Sequence, residues 1–193
     1  MLRLPALFYT LISPWFLLAS SLTLSLTAHA SDTAMIDLTK PNEYQLWRST
    51  NDNVMGGISQ GGVRYDGEAS LFSGELSLEN NGGFSSANRS IEIAPEMTQV
   101  ALTFIGDGRS YQMRFASWNN GNRVTYKHEF TTEKGKQQTT TFKLEDFKAT
   151  FRGRPVYNAP TLLAKDVKQL GVLIADKRAG SFKLKLIKIE FQP

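Results

Sequence analysis

From residue 100 onward the apolar side chains fall on every second position, segment after segment. Val100, Leu102 and Phe104 begin the pattern. Tyr111, Met113 and Phe115 continue it, then Val124, Tyr126, His128 and Phe130, then Thr140, Phe142 and Leu144, then Leu170, Val172 and Ile174. Successive side chains of a strand point to opposite faces, so this spacing predicts half-buried β-strands and excludes helices of useful length. The last run, "SFKLKLIKIEF", places Phe182, Leu184 and Leu186 on one face and then changes phase to Ile187, Ile189 and Phe191. One inserted residue exchanges the faces of a strand, so the run predicts a β-bulge. Turn sequences separate the strands: "GDGR" (106–109), "NNGN" (119–122), "EKGK" (133–136) and "DKRAG" (176–180). Residues 145–150 and 161–168 have room for a turn or two of helix. Many short strands at near-regular spacing predict an antiparallel β-sandwich or jelly roll.

Residues 1–30 stand apart from this pattern. One early cation (Arg3), a long apolar middle and the ending Ala28-His29-Ala30 are laid out as a secretory signal peptide, with cleavage expected before Ser31. The reading is export, to the periplasm, with an uncleaved membrane anchor as the alternative. A single β-sandwich domain is expected over 31–193. The excess of cations is small, a net charge of +4 for the whole chain, with no block of like charge. Lys183, Lys185 and Lys188 read as the solvated face of a strand. No basic patch interleaved with stacking aromatics is visible, which argues against nucleic acid.

Cysteine is absent, so core packing alone must hold the fold, and thiolate chemistry and Cys-ligated metals are excluded. Past residue 30 the only histidine is His128, so no multi-histidine metal site can form. Its place among Val124, Tyr126 and Phe130 reads as a core histidine. No cofactor is called for.

The stretch "NDNVMGGISQGG" (51–62) is the strongest local feature. Gly56 and Gly61 have the spacing of a phosphate loop, but Gly62 stands where the lysine belongs, and no βαβ unit surrounds it. A nucleotide is therefore not expected. The glycines read as positions of positive φ or of close backbone approach. Asp52, Asp107 and Asp176 lie in turns, where such residues usually cap their own backbone. A calcium site or a pair of glycosidase carboxylates built from them stays open as a lesser reading. Arg89, Arg109 and Arg152 stand beside turns, and an internal Asp–Arg bridge is favoured over a bound anion. Asp52 is expected to pair with Arg89 or Arg109. Trp47 reads as a core or rim anchor for the glycine loop. Trp118, in "SWNNGN", is either an indole folded over the sandwich end or an exposed platform for a sugar or protein.

Five stretches carry a resemblance: "WRSTNDNVMGGIS" (47–59), "FSGELSLENNGGFSSANR" (72–89), "GDGRSY" (106–111), "FKATFRG" (147–153) and "LGVLIADKRAGSFKLKLIKI" (170–189). In this order they resemble the family of complex I intermediate-associated protein 30, a mitochondrial respiratory complex I assembly factor, over about 36–191. The resemblance implies an all-β, galactose-binding-like jelly-roll sandwich. It also implies a non-enzymatic role in which the domain chaperones or scaffolds assembly of a membrane complex. No catalytic residues carry over. The shared motif residues are Asp52, Met55, Gly56, Gly57, Gly82, Gly83, Phe84, Arg89, Asp107 and Arg109, which serve the fold or a partner. Combined with the leader, the reading is a periplasmic, non-catalytic module acting on protein partners of the envelope. The alternative is a carbohydrate-binding module, supported by Trp118 and its amide-rich neighbours; carboxylate-based hydrolysis is a third class.

Overall fold

The structure is a computed structural model that describes residues 34–119, 122–151 and 153–193. The leader read from residues 1–30 and the candidate Arg152 lie outside the described residues. In chain order the strands are β1 (Met35–Asp37), β2 (Arg48–Asn51), β3 (Gln60–Tyr65), β4 (Ser70–Leu76), β5 (Ser85–Ser90), β6 (Gln99–Ile105), β7 (Ser110–Asn119), β8 (Asn122–Thr131), β9 (Gln137–Lys143), β10 (Lys148–Phe151), β11 (Arg154–Pro155), β12 (Val167–Ile174) and β13 (Gly180–Gln192). The alternating segments all become strands. The two stretches allowed some helix hold single 3-10 turns, Leu144–Asp146 and Ala164–Asp166.

Two antiparallel sheets pack face to face. One runs β3-β4-β13-β6-β9, with β1 beside the second half of β13. The other has seven strands in the order β11-β10-β8-β7-β12-β5-β2. Inward-facing residues of the first sheet (Phe72, Leu102, Phe104, Phe182, Leu184) meet those of the second (Met113, Phe115, Tyr126, Leu170, Val172) in one buried core. Ring pairs such as Phe72–Phe182, Phe104–Phe130 and Phe115–Phe147, each 5.0 Å between centroids, pack this core. Each such side chain contributes roughly 1.5–3 kcal/mol by leaving water. That is how a chain without disulfides holds two sheets together.

The phase change in β13 is a bulge. Leu186 is opposite Phe104 and Lys188 is opposite Thr103, which leaves Ile187 as the extra residue. Ile187 is half-buried and its carbonyl accepts from Leu38 N at 2.9 Å, while Ile189 and Phe191 return to the core.

Candidate functional site

The glycine stretch folds around a buried carboxylate. Asp52 begins a 3-10 turn (Asp52–Met55) after β2 and is 1% exposed. Its Oδ1 accepts from Ser59 N at 2.9 Å. Its Oδ2 accepts from the Ser59 hydroxyl, from Gly83 N at 2.6 Å and from Phe84 N at 3.3 Å. Ser59 Oγ in turn accepts from Ser77 N at 3.0 Å. Burial pushes the Asp52 carboxyl up, but the Ser59 hydroxyl and the three backbone N–H groups outweigh it and hold the carboxyl below its ordinary value.

Glycine is required where the two loops close on this group. A Cβ on Gly57 would stand 2.4 Å from Asp52 Cγ, and one on Gly82 would stand 2.6 Å from Oδ2. Beside it, Asn51 Nδ2 donates to Gly61 O at 3.1 Å and Asn51 Oδ1 accepts from the Ser85 hydroxyl at 2.7 Å. The two most specific motifs of the chain, "DNVMGGIS" and "NNGGF", are thus two halves of one clasp.

The expected Asp52–arginine pair does not form. Arg89 instead bonds Glu43 through Nη1. Arg109 bonds Asp176 with a fork, Nε to Oδ2 at 2.9 Å and Nη2 to Oδ1 at 2.6 Å. Its Nη1 donates to the carbonyls of Gly180 and Ser181 at 3.0 and 2.9 Å, and Nη2 also donates to Arg178 O. All five guanidinium hydrogens are used in a site that is 5% exposed. Asp107 caps its own turn through Arg109 N at 3.0 Å and accepts from Lys183 N at 2.7 Å and Tyr111 Oη at 3.1 Å. An internal Asp–Arg bridge exists, then, with a different aspartate. Asp52, Asp107 and Asp176 are each engaged by protein donors, and the described residues hold no group of three His, Asp or Glu side chains placed to bind a metal.

The remaining nominated residues divide. Trp47 lies in the core. Phe84 is half-buried and contributes its backbone to the clasp. Gly56 takes φ +92° and Gly83 φ +125°. Met55 is 70% exposed, with Val54, Ile58 and Leu78 also exposed on the same loops. His128 packs its ring on Phe142 and Phe147 at 4.9 and 5.5 Å but is only half-buried, a residue of the core margin. Trp118 is 45% exposed near the end of β7, opposite Arg123 of β8, whose guanidinium lies 5.8 Å from the indole centroid.

One concavity rich in polar side chains is a place the sequence left unmarked. On the outer face of the seven-stranded sheet a groove of about 160 Å³ is floored by Ala116 and Gly171 and lined by Thr50, Ser86, Asn88, Arg114, Arg123, Thr125 and Gln169. Arg114 Nη1 donates to Gln112 Oε1 at 2.8 Å and Nη2 reaches Thr150 Oγ1 at 3.4 Å. Arg123 donates to Thr125 Oγ1 and Gln169 Oε1, both at 3.2 Å. Burial and then the Arg123 charge push the Arg114 guanidinium down to about 10. A roomier hollow of about 490 Å³ opens between residues 95–99, 143–145 and 161–164, walled by Met97, Leu144, Leu162 and Leu163. Its two charges, Lys143 and Glu145, face each other at 3.8 Å, and Thr98, Gln99 and Thr161 complete its polar lining. The groove was missed because its residues come from β2, β5, β7, β8 and β12. The available signal was the run of Arg, Thr, Asn and Gln at the outward positions of those strands.

Residues 36–186 match the family model described as Complex I intermediate-associated protein 30. No curated protein matches the sequence. Among solved structures, the chain is similar to a family 11 carbohydrate-binding module of a cellulosomal cellulase of Clostridium thermocellum, at 11% identity and TM-score 0.62, covering 84% of this chain and 97% of that one. A family 11 module from the same organism, in complex with a β-1,3-1,4-mixed-linked tetrasaccharide, aligns at 13% identity and TM-score 0.59, covering 81% and 94%. A family 30 carbohydrate-binding module of another cellulosomal cellulase of that organism aligns at 11% identity and TM-score 0.52, covering 80% and 96%. At these identities the likeness shows the fold, a galactose-binding-like jelly roll.

Proposed function

We propose that this chain, which belongs to the complex I intermediate-associated protein 30 family, is a non-catalytic binding module of the cell envelope that holds a glycan chain on the outer face of its seven-stranded sheet. The observation that carries this reading is the groove itself. Small residues, Ala116 and Gly171, keep its floor low, while Asn88, Gln169, Thr50, Ser86 and Thr125 offer both donors and acceptors. Sugar hydroxyls need both kinds of partner. The half-exposed Trp118 indole next to Arg123 adds a flat apolar plate at the rim. These side chains stand on paired strands, so little ordering is needed on binding. The tetrasaccharide complex of the similar family 11 module supports the reading by analogy of fold. Titration of the protein with a panel of polysaccharides tests it. Binding that weakens at least about fivefold in Trp118→Ala and Asn88→Ala, with unchanged melting temperature, is expected. Failure of every glycan to bind would remove it.

A second reading, a chaperone or assembly factor for an envelope protein complex, is favoured by one observation. The clasp holds Val54, Met55, Ile58 and Leu78 in solvent on its two loops, an apolar group of the kind that anchors protein partners. A photo-crosslinker at Met55 that captures one defined partner, lost on Val54→Asp, would support it; absence of any specific adduct would not.

A further inference from the structure

We infer that the outer face of the seven-stranded sheet selects an acidic glycan, with Arg114 as the anchor for its anionic group. The inference rests on the glycan-binding reading above and narrows its ligand class.

Register is the first observation. Lys148 pairs with Lys127, Lys127 with Arg114, Arg114 with Gly171, Gly171 with Asn88, and Asn88 with Arg48. Paired positions on neighbouring strands share a face, so these residues form one lateral row across β10, β8, β7, β12, β5 and β2. At about 4.8 Å per strand, the row spans about 24 Å. It carries four cations, with Arg123 next to it on β8. The strands of this sheet contain a single carboxylate, Glu129, and that group is occupied by Lys127 Nζ at 2.8 Å and Gln112 Nε2 at 3.3 Å.

The second observation is what Arg114 lacks. Two further arginines of the fold that are largely buried each have a carboxylate: Arg89 has Glu43 and Arg109 has Asp176. Arg114 is half-buried in the groove and meets only the neutral Gln112 and Thr150. Among the described residues no carboxylate bonds Arg114, Arg123, Arg48 or Lys148. A partly desolvated cation without its counter-ion is costly, and Arg123 adds repulsion. Two of the five Arg114 hydrogens are engaged, and none of its nitrogens is sealed from solvent without a partner, so free donors open into the groove. A guanidinium fork fits an oxyanion with two hydrogen bonds. The flanking Asn88, Thr125 and Gln169 then serve the sugar hydroxyls, while Arg48 and Lys148 extend the attraction along the chain.

The test is titration of the purified protein with polygalacturonate, dextran sulfate, a neutral mixed-linked β-glucan, polyglutamate and single-stranded DNA, at low and high salt. Expected are binding of one or both acidic glycans at least about tenfold tighter than the neutral one, and weakening as salt rises past about 0.1 M. Carboxylate and sulfate sources are told apart by which of the two binds. Arg114→Gln should lower affinity about tenfold, as loss of a charge-assisted fork does. Arg114→Lys should rescue only part. The double variant Arg48→Gln/Lys148→Gln, both exposed, should lower it about threefold and decides the matter if Arg114 variants fail to fold. Equal affinity for the neutral glucan with Arg114→Gln unaffected overturns the acidic selectivity and leaves the glycan reading standing. No glycan binding overturns both. Polyglutamate or DNA binding as tightly as the acidic glycans overturns the inference in favour of a general polyanion surface.

Discussion

Asp52→Asn is the substitution that best tests how the motif loops are held. The carboxylate receives four hydrogen bonds, three at Oδ2 and one at Oδ1, in a site closed to solvent. Asparagine keeps one acceptor oxygen, which is best placed toward Gly83, Phe84 and the Ser59 hydroxyl. Its amide then faces Ser59 N, 2.9 Å from the position of Oδ1, and donor meets donor. One buried N–H loses its partner, at about 1–3 kcal/mol, and the other bonds lose their charge assistance. The sum is about 3 kcal/mol, against a total stability of roughly 5–15 kcal/mol. For a domain of this size that lowers the melting temperature by roughly 6–12 °C, read by calorimetry or far-UV circular dichroism. The pH dependence gives a second check. The folded carboxyl titrates below its unfolded value of 3.8, so its contribution is complete above that value and is lost as pH falls through the folded one. The gap between parent and variant should be constant above about pH 5 and shrink in more acidic solution. A variant melting within about 2 °C of the parent at neutral pH, or a gap that widens on acidification, would refute the clasp.

Other perturbations reach the remaining devices of the fold. Arg109→Lys keeps the charge but cannot fork onto Asp176 and reach three carbonyls at once; a loss of about 3–5 kcal/mol in denaturant titration is expected, and one under 1 kcal/mol would refute the lock. Deleting Ile187 removes the bulge but leaves Lys188, Ile189 and Phe191 opposite Thr103, Leu102 and Val100, so the protein should still melt cooperatively, weakened by loss of the Leu38 N–H bond to the Ile187 carbonyl; an aggregated product with no cooperative melt would show that β13 needs the bulge itself.

Much of this was legible in the chain because strand periodicity is local. The alternating apolar positions and the phase change near Leu186–Ile187 announced the strands and the bulge, and the motif pair identified the family. The partners of Asp52 were not legible. They are the hydroxyl and amide of Ser59 and the backbone N–H groups of Gly83 and Phe84, and a backbone donor leaves no mark in residue type. By side-chain charge alone a buried carboxylate calls for a cation, which points to Arg89 or Arg109. Their carboxylates, Glu43 and Asp176, lie 46 and 67 residues away along the chain.

The same limit hid the sheet face. No stretch of the sequence shows a basic block, since Arg48, Arg114, Arg123, Lys127 and Lys148 are scattered over a hundred residues. Alternation determined that each points away from the core. Only the antiparallel register of six strands decided that most of them share one row, because register depends on pairings between residues far apart in the chain. The sequence by itself determined a bulged β-sandwich of a recognisable family. Tertiary structure turned its glycine motifs into a buried clasp and its dispersed cations into a candidate binding face.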